Sequence, residues 1–238
     1  MTTLHIADEA RFHRTLDFMS YKELAALKFH IIGAGAIGSN AALYLAKMGA
    51  RQIVIHDPDT FEEANLPLQI CRIEDLGKKK VEAVADIIKQ FEGIEIETNP
   101  DLFDGDVEPG SIIIAGVDSM KSRKEIWKMV KAQPIQMLID GRMGLTSMNI
   151  YTVDPVEPEA VRYYEATLWD DSDVAPVRCT AKATLFTAGT ISSVICSIVS
   201  KIVRGEKIPL EVQIDMKEFY MKVIGPNGKP LSETTFIE

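Results

Sequence analysis

Early in the chain, Gly33-Ala34-Gly35-Ala36-Ile37-Gly38 places glycine at the spacing G-x-G-x-x-G, between an apolar run, Phe29–Ile32, and a segment with helical periodicity. In that setting each glycine has a physical task. Gly33 permits a tight turn, Gly35 lets backbone N–H groups approach a phosphate, and Gly38 lets the helix pack closely on a strand. Asp57 closes the next apolar run, nineteen residues beyond Gly38, where a carboxylate accepts hydrogen bonds from ribose hydroxyls. These residues point to a nucleotide without saying which; the competing reading is a glycine turn with no ligand.

The residues beyond Asp57 narrow the choice. Asp57-Pro58-Asp59 leads to Asn65 and Gln69, then to Gly77-Lys78-Lys79-Lys80 at a predicted helix start, then to Asp118 beyond an apolar run. Hydride transfer has no need of this set. Use of ATP does, because a lysine at a helix N-terminus neutralises phosphate and an acid beyond a neighbouring strand holds magnesium. Lys80 also reads as a solvated member of a lysine run, and Asp118 as the N-cap of the helix after it.

The elements that must position these residues are legible from periodicity. One or two short helices are expected before Leu27. Ala36–Met48 repeats apolar residues at helical spacing, Gln52–His56 reads as a strand, and residues 78–91 as a helix. Gly93–Thr98 alternates like a strand, and the wholly apolar Ser111–Val117 reads as a strand buried on both faces. Helix 119–132 and strands 135–139 and 146–153 come next. This alternation predicts an α/β fold: a doubly wound, mostly parallel sheet, Rossmann-like, with N-terminal helices and a C-terminal strand pair near 209–224. With no repeat or low-complexity linker in 238 residues, a single domain over 1–238 is expected, with a loop-rich acidic crossover at about 154–182.

Composition sets further bounds. Hydrophobic content of 46% and charged content of 26% are those of an ordinary globular chain. The net charge of −9 argues against nucleic acid, whose phosphates require a basic footprint. Between Asp154 and Asp173 stand seven acids and one base, Arg162, so that this segment carries −6 of the total. The uncharged run Ala183–Ser200 holds seven Ser or Thr residues and, through Val203, repeats apolar residues at helical spacing; a buried helix is expected, not a membrane span. No secretory signal is visible at the start, and three unpatterned cysteines, Cys71, Cys179 and Cys196, fit a reducing, cytoplasmic setting. His5, His13, His30 and His56 are scattered and read as buried or surface residues, not ligands.

The chain resembles the ThiF/MoeB/HesA family, whose adenylating domain is shared with ubiquitin-activating enzymes. The resemblance runs from about Arg11 to about Arg204 and rests on five motifs in order. GAGAIGS is similar to the family's glycine loop, and DPDTFEEANLPLQ to its D-x-D…N-L-x-R-Q stretch. LGKKKVE is similar to V-G-x-P-K-x-E, GVDSMKSR to T-D-N-x-x-x-R, and Arg11-Phe12-His13-Arg14 to R-Y-x-R. The resemblance implies an ATP-dependent adenylyltransferase that activates the C-terminal carboxylate of a small ubiquitin-like or sulfur-carrier protein and releases pyrophosphate. It implies nucleotide contacts from Gly33, Gly35, Ala36, Gly38, Asp57, Asp59 and Asn65, phosphate contacts from Lys80 and Arg14, and a magnesium ligand in Asp118, with Arg123 on the helix after it. Arg14 would act on the nucleotide of the other subunit of a homodimer; a solvated face on a short helix is the other reading of it.

Two departures stand out. Leu68 occupies the position of the family's second phosphate-contacting arginine, with Arg72 nearby in sequence, and the family's Cys-x-x-Cys pairs are missing, so no structural zinc is expected. Cys179, in Arg178-Cys179-Thr180-Ala181-Lys182, lies where a cysteine in the family attacks the adenylate or joins the carrier; an unreactive loop thiol is the alternative. Cys196 reads as core and Cys71 as incidental. By resemblance the acidic segment crosses over the active site, where its charge would steer a basic carrier; a solvated loop is the plainer reading. A non-catalytic subunit of an activating heterodimer and an NAD(P)-dependent oxidoreductase remain as competing functions. The latter is opposed by the lack of any histidine after His56.

Overall fold

The computed structural model describes residues 10–15, 17–169 and 183–235. Its framework is one nine-stranded sheet in the order β3-β2-β1-β4-β5-β6-β7-β8-β9. The parallel half comprises β1 (Lys28–Ile32), β2 (Gln52–His56), β3 (Glu97–Asn99), β4 (Ile112–Ala115) and the start of β5 (Met137–Met143). The antiparallel half adds β6 (Ser147–Val153), β7 (Glu211–Asp215), β8 (Tyr220–Ile224) and β9 (Pro230–Thr235).

Alternation along the central strands divides the interior into two layers. Phe29, Ile31, Ile53, Ile55, Ile112, Ile114 and Ile139 face one side, against α2 (Ala36–Met48), α3 (Lys80–Glu92) and α6 (Leu185–Val203). Ile32, Ile113, Ala115 and Leu138 face the other, against α4 (Met120–Val130) and α5 (Pro158–Glu165). Buried β4 therefore reads as an unbroken apolar run, as a strand covered on both faces must. A short helix, α1 (Tyr21–Ala26), precedes β1, its first turn capped by the Ser20 hydroxyl, which accepts the Glu23 N–H. α6 has the length and apolar composition of a membrane-crossing helix, with half of its apolar window buried inside the protein. Ile191, Ile195, Ile198 and Val199 form its inner face, as its periodicity predicts.

The doubly wound order is as expected, and several boundaries differ. The strand predicted at Gly93–Thr98 shrinks to Glu97–Asn99, because Gly93 takes a left-handed conformation (φ +69°) to end α3. The predicted C-terminal strand pair is a three-stranded meander, β7 to β9. The segment expected to be loop-rich contains α5, whose Trp127-facing side buries Ala160 and Tyr164.

β1 has β2 on one side and β4 on the other. The chain winds outward in both directions from that pair, and the carboxyl ends of β1 and β4 therefore border the crevice where such sheets take ligands.

Candidate active site

The glycine loop leaves β1 at this crevice. Gly33 turns with φ +96°, and an added Cβ would stand 2.9 Å from the Gly116 carbonyl oxygen, beyond the end of β4. At Gly38 a Cβ would lie 1.7 Å from the Gly33 carbonyl oxygen, so only glycine allows α2 to begin this close to the loop. Gly35, the N-cap of α2, has nothing within 4 Å of a Cβ position. The start of α2 therefore leaves room at Gly35 for a close approach to the positive end of a helix that has no acid in its first turn.

Asp57, nearly buried, ties this loop to the next strand. Its Oδ2 accepts the Ala34 N–H at 2.6 Å and its Oδ1 the Asp59 N–H at 2.8 Å. Asp59 then meets Lys80 twice. The Lys80 amide donates to the Asp59 carbonyl at 3.0 Å, and the Lys80 ammonium to Asp59 Oδ2 at 2.9 Å. A backbone bridge between Thr60 and Lys79 and a bond from the Phe61 amide to the Lys78 carbonyl hold the two segments in register. Pro58, Asp59, Thr60, Glu62, Asn65 and Lys80 line a cavity of about 440 Å³. Lys80 is thus not a solvated lysine: its side chain is 10% exposed, with its ammonium directed to one carboxylate at the cavity.

Asp118 lies beyond β4 and is exposed beside the glycine loop. It does not cap α4; Ser119 does, its hydroxyl accepting the Ser122 N–H at 3.1 Å. Arg123 braces this turn. Its guanidinium donates to the Val117 carbonyl at 2.6 Å and the Ser119 carbonyl at 3.2 Å, on either side of Asp118, and to the buried Asp140 carboxylate at 3.0 Å. Arg142 and the Tyr164 hydroxyl bind the other Asp140 oxygen, Oδ2. Burial, then the Asp140 charge, push the Tyr164 phenol well above its ordinary range, so it remains a donor.

Among the described residues no three His, Cys, Asp or Glu side chains group as a metal site. A single exposed carboxylate is nevertheless a donor set that magnesium accepts when phosphates and water supply the remaining ligands, and Asp118 fits that role.

Arg72 does not stand in for the arginine missing at Leu68. It grips Asp75 through Nε (2.8 Å) and a terminal nitrogen (2.9 Å), and also reaches Gln90. Asp75 is fully buried and takes Lys78 as well. Its hydrogen bonds from Arg72, then from Lys78, hold its carboxyl far below the usual range.

Arg14 is exposed and lies outside the crevice. Its neighbour Phe12 packs under Gly49 at the far end of α2, about 20 Å from the glycine loop for a helix of that length. Cys179 lies outside the described residues. Burial raises the Cys71 thiol pKa, with Asp75 adding to it, and pushes Cys196 up to about 12, so both favour the thiol form. His30 and His56, distant in sequence, are neighbours: parallel pairing of β1 and β2 sets Nδ1 of the first 3.1 Å from Nε2 of the second.

A family model described as the ThiF family matches residues 9–230. This chain belongs to the ThiF family. Within that kinship it is similar to the NEDD8-activating enzyme E1 catalytic subunit of Arabidopsis thaliana, 36% identical over 102 residues, which cover 40% of this chain and 22% of the relative. It is similar also to the molybdopterin-synthase adenylyltransferase of Haemophilus influenzae, 24% identical over 171 residues, 66% of this chain and 70% of the relative. The solved structure of PaaA shares the fold with a TM-score of 0.74 at 20% identity, covering 94% of this chain and 75% of that one. The chain spans about a fifth of the length of the Arabidopsis relative, the first of these.

The residues that sequence reasoning did not single out are those that hold the others. Ser39 donates to the Gly35 carbonyl at 2.7 Å and accepts the Ile70 amide at 3.0 Å; Asn40 donates to the Ala36 and Leu68 carbonyls. Their only sequence signal was position, just after Gly38 in the first turns of a ligand-facing helix.

Proposed function

We propose that this ThiF-family chain is an ATP-dependent adenylyltransferase that activates the C-terminal carboxylate of a small ubiquitin-like or sulfur-carrier protein. The observation that carries this reading is the Lys80–Asp59 pair held at 2.9 Å beside the glycine loop. A nicotinamide enzyme has no use for a partly desolvated lysine there, whereas a triphosphate does.

A carrier carboxylate oxygen attacks the α-phosphorus, forming an acyl–phosphate bond, and the bond to the bridging oxygen breaks with its electron pair leaving on pyrophosphate. The chain's part is to align and to neutralise. The amides of Gly35 and Ala36 receive phosphate at the start of α2, Asp57 retains acceptor capacity for the ribose hydroxyls, and Lys80 offsets charge on the departing group. Asp118 holds magnesium, which supplies charge neutralisation at the phosphates. Arg14 is assigned to the nucleotide of a partner copy in a homodimer, in keeping with its place away from its own crevice. Cys179 is assigned to the carrier, the acidic segment to steering a basic carrier, and the protein to the cytoplasm.

ATP–pyrophosphate exchange tests the reading. Exchange should require magnesium and the carrier and vanish in Lys80→Ala and Asp118→Ala; undiminished exchange in both variants overturns the site. A non-catalytic subunit is the second reading, favoured by Leu68 and by the engagement of Arg72 with Asp75. Nucleotide binding without exchange, with any carrier, would select it.

A further inference from the structure

Among the described residues four cations surround the entrance to α3, and three of them have a carboxylate partner. Arg72 and Lys78 are both engaged with Asp75, and Lys80, already assigned to the departing pyrophosphate, is directed to Asp59. Lys79 is different. It is the N-cap of α3, and its ammonium donates to the Pro58 carbonyl oxygen, at the lip of the cavity that Pro58 lines; among the described residues it meets no carboxylate.

One feature makes this placement unfavourable without a ligand, and a second leaves the cavity in need of a further cation when a polyanion binds. The positive end of a helix disfavours cations, and here adjacent lysines occupy it. The cavity lining, with Asp59 and Glu62 against Lys80, is itself short of positive charge for a polyanion. A triphosphate would reverse the first condition and impose the second. Position 68 supplies no charge: its residue is a leucine, whose amide donates to the carbonyl of Asn65, a lining residue, at 3.0 Å and whose carbonyl accepts from Asn40 in α2.

We propose that Lys79 is a second phosphate-binding residue, exchanging the Pro58 carbonyl for the terminal phosphates of the nucleotide and providing the charge that Leu68 lacks. This rests on the ATP reading of the same cavity. A ligand without β- and γ-phosphates should not engage it.

The test is calorimetric binding of ATP and of AMP, with magnesium, to the full chain. Lys79→Ala should weaken ATP about tenfold, the scale of one charge-assisted contact, and AMP less than twofold. Lys79→Arg should keep near-normal ATP affinity, and Leu68→Arg placed in the Lys79→Ala background should recover most of the loss. Unchanged ATP affinity in Lys79→Ala, or equal losses for ATP and AMP, overturns the proposal. A wild-type chain that binds ATP yet exchanges no pyrophosphate defeats the adenylylation reading while the ATP–AMP contrast still decides the role of Lys79. One that binds no ATP overturns both.

Discussion

Asp57 Oδ2 accepts the backbone N–H of Ala34 at 2.6 Å, fastening the glycine loop after β1 to the carboxyl end of β2. The same carboxylate holds the Asp59 amide, and Asp59 holds Lys80, so loop, carboxylate and lysine form one connected chain of hydrogen bonds.

Removing that carboxylate should therefore harm the fold as well as binding. Asp57→Ala leaves the Ala34 and Asp59 amides without their acceptor in a site that is 7% exposed, and should cost about 3 kcal/mol, the sum of two charge-assisted bonds near the low end of their range. Asp57→Asn, which retains one carbonyl acceptor, should lose about half as much. Urea denaturation measures the stability and calorimetry the nucleotide affinity, which should fall in both. A stable Ala variant would mean that the loop is held by something else.

Gly35 and Gly38 should separate binding from folding. Gly38→Ala drives a Cβ to 1.7 Å from the Gly33 carbonyl oxygen, and the loop must open to accept it. A melting temperature lowered by about 2–12 °C, with ATP binding lost, is expected from about 1–3 kcal/mol of such overpacking in a chain of this size. Gly35→Ala meets nothing within 4 Å and keeps φ at an ordinary −76°, so stability should hold while the methyl group obstructs phosphate. Equal melting temperatures for the two variants would refute this contrast.

Arg123 should act through Asp118. It holds the carbonyls on both sides of that residue while paired to buried Asp140. Arg123→Lys cannot make the forked contacts, so the magnesium concentration for half-maximal exchange should rise about tenfold with little change in AMP affinity. Arg123→Ala should also destabilise the chain by about 3 kcal/mol, since it strips a partner from a buried carboxylate. If both variants keep the wild-type magnesium dependence, Arg123 serves the fold alone.

The contrast between these sites explains what the sequence could disclose. The glycine loop was legible because its constraints are local: Gly38 answers to Gly33, five residues away. The apolar strands and helical stripes of α2, α3 and α6 were legible for the same reason, since periodicity is a property of neighbouring residues. Asp57, Asp59, Lys80 and Asp118 were found as members of ordered motifs; the parallel sheet sets Asp57 beyond β2 and Asp118 beyond β4, the two neighbours of β1, and Asp57 and Asp59 link the glycine loop to Lys80. Arg123–Asp140 and His30–His56 were not, because each pair is made by register between strands or by a helix laid across them. The dense acids near α5 masked an amphipathic helix whose apolar side, Ala160 and Tyr164, is visible only against Trp127. Lys79 read as part of a charge run until its neighbours were seen to be engaged.

The buried histidine pair should give the protein a pH-dependent stability with a defined window. His30 Nε2 lies 2.7 Å from Glu108 and its Nδ1 3.1 Å from His56 Nε2, and the buried His56 Nδ1 has no hydrogen-bond partner among the described residues. Burial first, then the neighbouring His30, lowers the His56 pKa to about 4, with Asp104 and Glu97 opposing and Lys28 assisting. His56 is therefore neutral when folded, while the unfolded chain takes up a proton below about 6.5. Since the unfolded state binds more protons, the stability present above pH 6.5 is lost as pH falls from there to about 4, by about 3 kcal/mol in all. Glu108 and Asp75, whose carboxyls are lowered, add their own losses only below the ordinary carboxylate range, so neither supplies the decline between about 6.5 and about 4.5. Urea midpoints measured across that interval should decline in the wild type. In His56→Phe, which keeps a ring against Phe103, the midpoint should be lower at about pH 7.5 but nearly flat with pH. An equal slope in the variant would assign the acid sensitivity to another group.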